Sequence, residues 1–453
     1  MNENRKDIHS GVSHFLYSLG AVPSALPYNM IQSYLILFYT THAGLHLDLA
    51  GLMLMLYGIW NAINDPLLGY YMDKKKTRWG RRVPYIIGGT IPLTVGFILL
   101  WWVPWTDQAG IFLHGFIMLF VFDLGFTLAM TAWQSLYTEM YESEDERASV
   151  VAVKDLIAFI SSMVGVILPP LVAGALGWPV VGLLLGITIP VTMYLSLLGT
   201  QERKEYQIDE PLPILKGFWE ALKNKAFLNV TITYALIDFM FGLTMTVLPL
   251  YAKFIIKVDE GMVGFAAAGV AIGIIGAIAF WRWVYAKKGP KEGLMLAIIL
   301  FTAGVWPIVL IRDFLGLILM AIIPGFGAAG MLMTEPAMSA AIDSDEIITG
   351  KRREAMLNGF LTLVARLSIV FTGLTLMAVQ RLTGFDPSLP VQPPGSEIGL
   401  IYLIGLVPVI GGIVTLLVFS RFPLNHEKFL AQQDKLKALH EERLKKIAGV
   451  ENR

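Results

Sequence analysis

The feature that most restricts what this chain can fold into is a succession of apolar stretches, each near the length that crosses a lipid bilayer. A helix needs about 20 apolar residues to cross about 30 Å of hydrocarbon. Twelve such stretches can be marked: 13–40, 49–72, 83–104, 112–137, 151–174, 177–199, 227–254, 261–284, 292–311, 313–341, 355–381 and 397–420. Only 15% of residues are charged, against about 25% in soluble domains. Inside hydrocarbon the backbone must satisfy its own hydrogen bonds, so the expected fold class is an all-α membrane protein of twelve transmembrane helices. The N-terminal MNENRKDIHSGVSHF has no short apolar core with a small-residue cleavage site. No cleaved signal peptide is expected, and the first apolar stretch serves as the targeting signal. The predicted location is the cell (plasma) membrane, in a multi-pass arrangement.

Loop charge gives an orientation. Lys74, Lys75, Lys76, Arg78, Arg81 and Arg82 crowd the second gap. Lys287, Lys288, Lys291, Lys351, Arg352 and Arg353 fall in later even-numbered gaps, whereas the odd gaps are nearly free of positive charge. The positive-inside rule then puts both termini in the cytoplasm. The longest polar gap, 200–226, lies near the midpoint, and the loop charges before and after it echo each other. The expected organisation is therefore a six-helix bundle at 1–199, a cytoplasmic linker at 200–226, a second bundle at 227–421 and a charged amphipathic tail at 422–453. In the linker, Ile214, Phe218 and Leu222 recur at helical spacing and predict a short interfacial helix.

One apolar stretch carries a carboxylate. Asn61, Asn64 and Asp65 stand at i, i+3 and i+4 and share a helix face. An acid at bilayer depth costs several kcal/mol, so it faces a cavity or a partner. Two readings follow: a structural carboxylate that bridges helices, or a site for a cation or proton. The basic loop that follows also has two readings. Asp73, Arg78, Arg81, Arg82, Glu139 and Arg147 can form charge pairs that close the cytoplasmic face, or the cations can serve topology and anionic-lipid contact.

The stretch NDPLLGYYMDKKKTRWGRRVPY resembles the signature of the glycoside–pentoside–hexuronide:cation symporters, the melibiose-permease-like branch of the major facilitator superfamily. Its elements are Asn64-Asp65-Pro66, Asp73 and Thr77 to Pro84. Leu136 to Glu139 with Asp145-Glu146-Arg147, and AMSAAIDSDEIITGKRREA at 337–355, match two further motifs of that family in order. The resemblance implies two six-helix bundles, alternating access, and cation-coupled uptake of a sugar, glycoside or uronide. It places the cation at Asp65, Asn64 and Asn61. Asn61 stands where the family usually has an Asp, and Met130 where its fourth helix has another. Asp65 is then the only carboxylate of the set, which points to coupling by H+ or, weakly, by Na+, with uncoupled transport as an option.

Other intramembrane groups are weighed as solute contacts. Trp133 and Gln134 offer an aromatic plate and a polar partner, and Tyr28, Asn29 and Gln32 add polar groups. Ala25 stands where some sugar-carrying members have an acid, which argues against galactoside-type recognition. Asp123 lies seven residues from Met130, about 10 Å along a helix. It is expected to stay apart from the cation ligands and to contact solute nearer the outside. Arg366 can lie near Asp65, grip an anionic solute group, or pair with an intramembrane acid such as Asp238 or Glu335. His42 and His46 read as solvated loop residues, and His114 as a lone histidine.

No P-loop or Gly-x-Ser-x-Gly pattern occurs, and there is no cysteine. The chain is not expected to be an enzyme, to hold a cofactor or to bind nucleic acid. Its expected partners are a small-molecule solute and membrane lipids, and it is expected to be a monomer. A lysolipid or other amphipathic-solute transporter of the same fold, or a non-transporting receptor or scaffold, is the alternative function.

Overall fold

The computed structural model describes residues 11–74, 80–141, 144–200, 222–349, 354–389 and 391–451. The regular secondary structure of the described residues is helical, without a β-strand among them. The chain divides into two compact units. The first comprises Met1–Leu212, Met245–Ala267 and Ile369–Leu400; the second comprises Pro213–Thr244, Ala268–Ser368 and Ile401–Arg453.

The first unit holds α1 (Gly11–Ser18), α2 (Ala21–Thr41), α3 (Leu47–Lys74), α4 (Val83–Leu100), α5 (Gln108–Met140), α6 (Glu144–Leu176) and α7 (Trp178–Leu198). Next in the chain come α8 (Lys225–Tyr251), α9 (Ala266–Val305), α10 (Phe314–Leu332), α11 (Glu335–Thr349), α12 (Glu354–Ala365) and α13 (Leu367–Thr383). The last are α14 (Ile398–Ile401), α15 (Val407–Ser420) and α16 (His426–Glu451). Among the described residues, ten helical stretches are long and apolar enough to cross a membrane.

Two stretches differ from the simple span list. Residues expected as 13–40 form α1 and α2, separated at Leu19 and Gly20, and are not among the ten. Gly20, Pro23, Pro27 and several polar residues dilute this stretch. The eighth and ninth spans run together as Glu260–Leu310, 51 residues long. At about 1.5 Å per residue this is far more than one bilayer crossing requires. Gly289 breaks the helix at φ 84, ψ 174, just before Pro290. The short turn at Arg312 and Asp313 is made by a cap: the Asp313 side chain accepts from the Gly316 N–H at 2.7 Å.

Helices α4 and α5 approach to backbone contact. A Cβ on Gly125 would meet the Leu93 backbone, and one on Gly96 would meet the Phe122 backbone at 2.5 Å. Small residues permit such approach where no hydrophobic gradient drives helices together. This contact fixes the position of the middle of α5, which carries Asp123.

The first unit is also tied at one end. Gln108, the first residue of α5, accepts from the His46 N–H at 3.0 Å and donates to the Gly44 carbonyl at 2.7 Å. Asp386 is 2% exposed. It accepts from the Leu47 N–H at the start of α3 (3.3 Å), from Gln380 Nε2 (2.9 Å) and from the Ser388 N–H (3.0 Å). His46 Nδ1 lies 2.8 Å from the same carboxylate, and His42 Nε2 lies 2.7 Å from Glu260, which also accepts from Trp178 Nε1. The two histidines are solvent-accessible loop residues, as expected from sequence, but each also has an acid partner, about 220 and 340 positions away. His114 is not alone either; its Nε2 lies 2.9 Å from the Leu99 carbonyl.

In the second unit Phe227, Trp281, Phe301, Phe360, Phe419 and Phe422 form the centre of the core. Trp281 donates to the Phe326 carbonyl at 2.7 Å and Tyr285 to the Gly330 carbonyl at 2.9 Å, which satisfies the last turns of α10. The tail helix α16 packs on α11, where Gln432 donates to the Ala340 carbonyl at 2.7 Å. The expected interfacial helix of the linker lies outside the described residues, apart from Leu222.

Asp386→Ala strands several buried donors at once and is expected to cost about 2–5 kcal/mol. Thermal unfolding in detergent would show this as a clear drop in midpoint, with Asp386→Asn intermediate. Gly125→Leu forces a side chain into the α4 backbone, and overpacking of this kind costs about 1–3 kcal/mol or more. Size-exclusion chromatography is expected to show loss of the monodisperse peak, with Gly125→Ala milder.

Candidate functional site

The polar cluster sits where α3 and α5 run side by side. Both helices begin at the tied end, so equal residue counts bring side chains level. Asn61, Asn64 and Asp65 fall 14, 17 and 18 residues after Leu47; Asp123 and Thr127 fall 15 and 19 after Gln108. Tyr57 stands one turn before Asn61 on the same face.

The hydrogen bonds follow from this register. Asn61 Nδ2 donates to Asp123 Oδ1, and Asn64 Nδ2 donates to Asp123 Oδ2 at 3.0 Å. Tyr57 donates its hydroxyl to Asp123 Oδ1 at 3.3 Å. Asn64 Nδ2 also donates to Thr127 Oγ1 at 2.9 Å, and the Thr127 hydroxyl in turn donates to Asp65 Oδ1 at 2.8 Å. Asp123 and Asn64 are each 1% exposed, Thr127 2% and Asn61 3%. An ionised carboxylate only accepts, so the amide N–H groups must face Asp123. That orientation leaves Asn61 Oδ1 buried, with no hydrogen-bond partner among the described residues. The result is a group of oxygens from two carboxylates, an amide, a threonine and a tyrosine, buried except at half-buried Asp65. Hard monovalent cations favour such oxygen donors.

Asp123 is the main departure from the sequence expectation. Measured along α5 from Met130 it falls two turns away, which keeps it out of the ligand set. Measured from the tied helix starts it falls beside Asn61 and Asn64. The cluster therefore has two carboxylates rather than Asp65 alone. Thr127 and Tyr57 are also additions; the signal for them was helical spacing from the acids, read across two helices rather than within one.

Other expected contacts have local partners. Trp133 is 2% exposed and stacks on Tyr17, with ring centroids 5.0 Å apart. Each of the two also donates to the other's backbone carbonyl, so this face of the indole is covered and Trp133 is no open plate for a sugar. Gln134 is exposed and Tyr28 half-buried. Asn29 donates to the Ala25 carbonyl and to Ser162 Oγ, and the Gln32 carbonyl accepts from Thr246 Oγ1 at 2.9 Å. Arg81 and Arg82 are buried at the start of α4. Arg147 donates from Nε to the Tyr141 carbonyl at 2.7 Å, joining α6 to the end of α5. Arg78 and the side chains of Asp73 and Glu139 lie outside the described residues.

The second unit contains a cavity of about 420 Å³ lined by Tyr234, Asp238, Glu335, Ser339, Asn358 and Thr362 together with apolar side chains. Asp238 accepts from Ser368 Oγ. Arg366 occupies the turn between α12 and α13, and its charge acts on both Asp238 and Tyr234.

A family model described as MFS/sugar transport protein matches residues 16–426. An uncharacterised symporter of Synechocystis is 24% identical, covering 88% of this chain and 92% of that protein. A glucuronide carrier protein homolog of Escherichia coli is 23% identical over 91% of this chain and 92% of its own length. The sodium-dependent lysophosphatidylcholine symporter 1 of Gallus gallus is 21% identical over 95% and 90%. Among solved structures, a proton-dependent oligopeptide transporter superposes with a TM-score of 0.66 over 94% of this chain and 99% of that one, at 15% identity. That likeness bears on the fold alone. The chain belongs to the MFS/sugar transport protein family, as its melibiose-permease-like motifs imply, and is a multi-pass membrane transporter and not an enzyme.

Proposed function

We propose that the chain is a secondary active transporter that couples a small polar solute to a monovalent cation, Na+ or H+, held between Asp65 and Asp123. The observation that carries this reading is the buried α3–α5 cluster. A carboxylate buried in the membrane span, as Asp123 is, requires a compensating positive charge or a proton. Two carboxylates offset such a charge better than one, which moves the balance toward Na+ relative to a site with Asp65 alone. Asn61 Oδ1, Thr127 Oγ1 and the Tyr57 hydroxyl are the neutral oxygens within the same group.

The role of each residue follows from its bonds. Asn61 and Asn64 hold the Asp123 carboxylate oriented. Thr127 links the two carboxylates through Asn64, so occupation at one is felt at the other. Once loaded, the cluster carries less net charge, and the reorganisation of alternating access proceeds with a smaller desolvation penalty. The accompanying architecture is twelve spans in two six-helix bundles, both termini cytoplasmic, functioning as a monomer in the plasma membrane without a cofactor. The cytoplasmic gate is proposed at Asp73, Arg78, Arg81, Arg82, Glu139 and Arg147. The solute class is a sugar or glycoside. A lysolipid is the second reading, favoured by the name of the Gallus gallus relative.

Uptake into proteoliposomes under an imposed Na+ or proton gradient tests the coupling. Accumulation is expected with one of the two gradients. Asp65→Asn and Asp123→Asn are each expected to reduce it by about a hundredfold or more while solute exchange at equal concentrations persists. Failure of both gradients with every glycoside offered, or unchanged accumulation in both variants, would contradict the reading. Translocation of a lysolipid but no sugar would favour the second one.

A further inference from the structure

The cavity of the second unit is bounded by two membrane spans that are each interrupted. α10 ends at Leu332, Met333 and Thr334 leave the helical path, and α11 restarts at Glu335 with Pro336 in its second position. α12 ends at Ala365 and α13 restarts at Leu367, with Arg366 in the turn between them. A helix break at membrane depth is tolerated where the freed backbone lines protein or a watery cavity. In transporters, discontinuous spans of this kind mark the place where solute is held.

The charges around this cavity are unequal. Asp238 and Glu335 both line it, and among the described residues no Lys, Arg or His does. Asp238 is already engaged, by the Ser368 hydroxyl and by the field of Arg366. Glu335 is exposed on the cavity wall, and its carboxylate has no hydrogen bond or ion pair among the described residues. The start of α11 supplies about half a positive charge, and Glu335, in that first turn, offsets it. What remains for a ligand is one carboxylate with no cationic side chain against it among the described residues. Beside it stand hydroxyl and amide groups on Ser339, Thr362 and Asn358 and the rings of Tyr234 and Phe241.

We infer that this cavity receives a polar solute bearing a protonated amine, with Glu335 as the partner of the ammonium group. This inference rests on the transport reading above and adds the charge of the solute to it. Ser339, Asn358 and Thr362 meet the hydroxyls of such a solute, and the Tyr234 and Phe241 rings cover its apolar face. A uronate or phosphate group would stand as a further anion beside the two carboxylates that line the cavity, and is rejected.

The test is calorimetric binding to the purified full-length protein at neutral pH, using three matched probes: an aminoethyl glycoside, its neutral ethyl parent and the corresponding uronate. The amine is expected to bind about tenfold tighter than the neutral parent, with no detectable binding of the uronate. Glu335→Gln is expected to bring the amine to the affinity of the parent, and an unchanged thermal midpoint would show that the variant is folded. Equal binding of amine and parent, binding of the uronate, an amine preference that survives Glu335→Gln, or binding of none of the three would each overturn the inference. Gradient-driven uptake is measured separately. If uptake is retained while the amine preference is absent, the inference fails alone; if uptake is also absent, the transport reading fails with it.

Discussion

A carboxylate taken out of water has few stable arrangements, and Asp123 occupies one of them. It is almost fully buried in a membrane helix, and three donors from α3 converge on it. Two of those donors are amides, which orient the carboxylate without bringing a charge of their own. A hydroxyl chain through Thr127 then reaches Asp65. Much of the first unit can be understood as what is needed to hold this arrangement. The Gln108 contacts align the starts of α3 and α5, Asp386 caps α3 from a distant loop, and Gly96 and Gly125 seat α5 against α4. Loosening any of these shifts Asp123 relative to its donors, and a shift of about 1 Å is enough to lose a hydrogen bond.

The second unit solves a different problem. Its spans are interrupted at Met333–Thr334 and at Arg366, and Glu335, at the restart of α11, lines the cavity together with Asp238. Trp281 and Tyr285 absorb carbonyls near the end of α10, so the break does not leave those acceptors empty. Rigid packing around Phe227, Phe301 and Phe360 surrounds this irregular backbone. One unit thus concentrates acids among amides, and the other presents acids at a cavity, within the same family fold.

Much of this was legible in the sequence where the signal is local. The membrane class follows from the length and spacing of apolar stretches, and the face bearing Asn61, Asn64 and Asp65 follows from helical periodicity. The three family motifs were found from residues alone, and the family model supports them. The sequence was silent where the decisive partner lies far along the chain. Asp123 was misplaced because its height was measured from Met130 within one helix, whereas the tied helix starts set it. The acid partners of the loop residues His42 and His46 are not legible in the sequence, because Glu260 and Asp386 are more than 200 residues away. Trp133 offered an open ring on paper, but Tyr17 covers it. Each of these depends on tertiary contact that no periodicity encodes.

The central claim is that Asp123 and Asp65 act as one cation site. Its most direct measurement is equilibrium binding of Na+, and in parallel proton uptake, by purified protein in the absence of solute. A single saturable site is predicted, lost in Asp123→Asn as completely as in Asp65→Asn. Cation binding that disappears in Asp65→Asn but persists unchanged in Asp123→Asn would contradict the account.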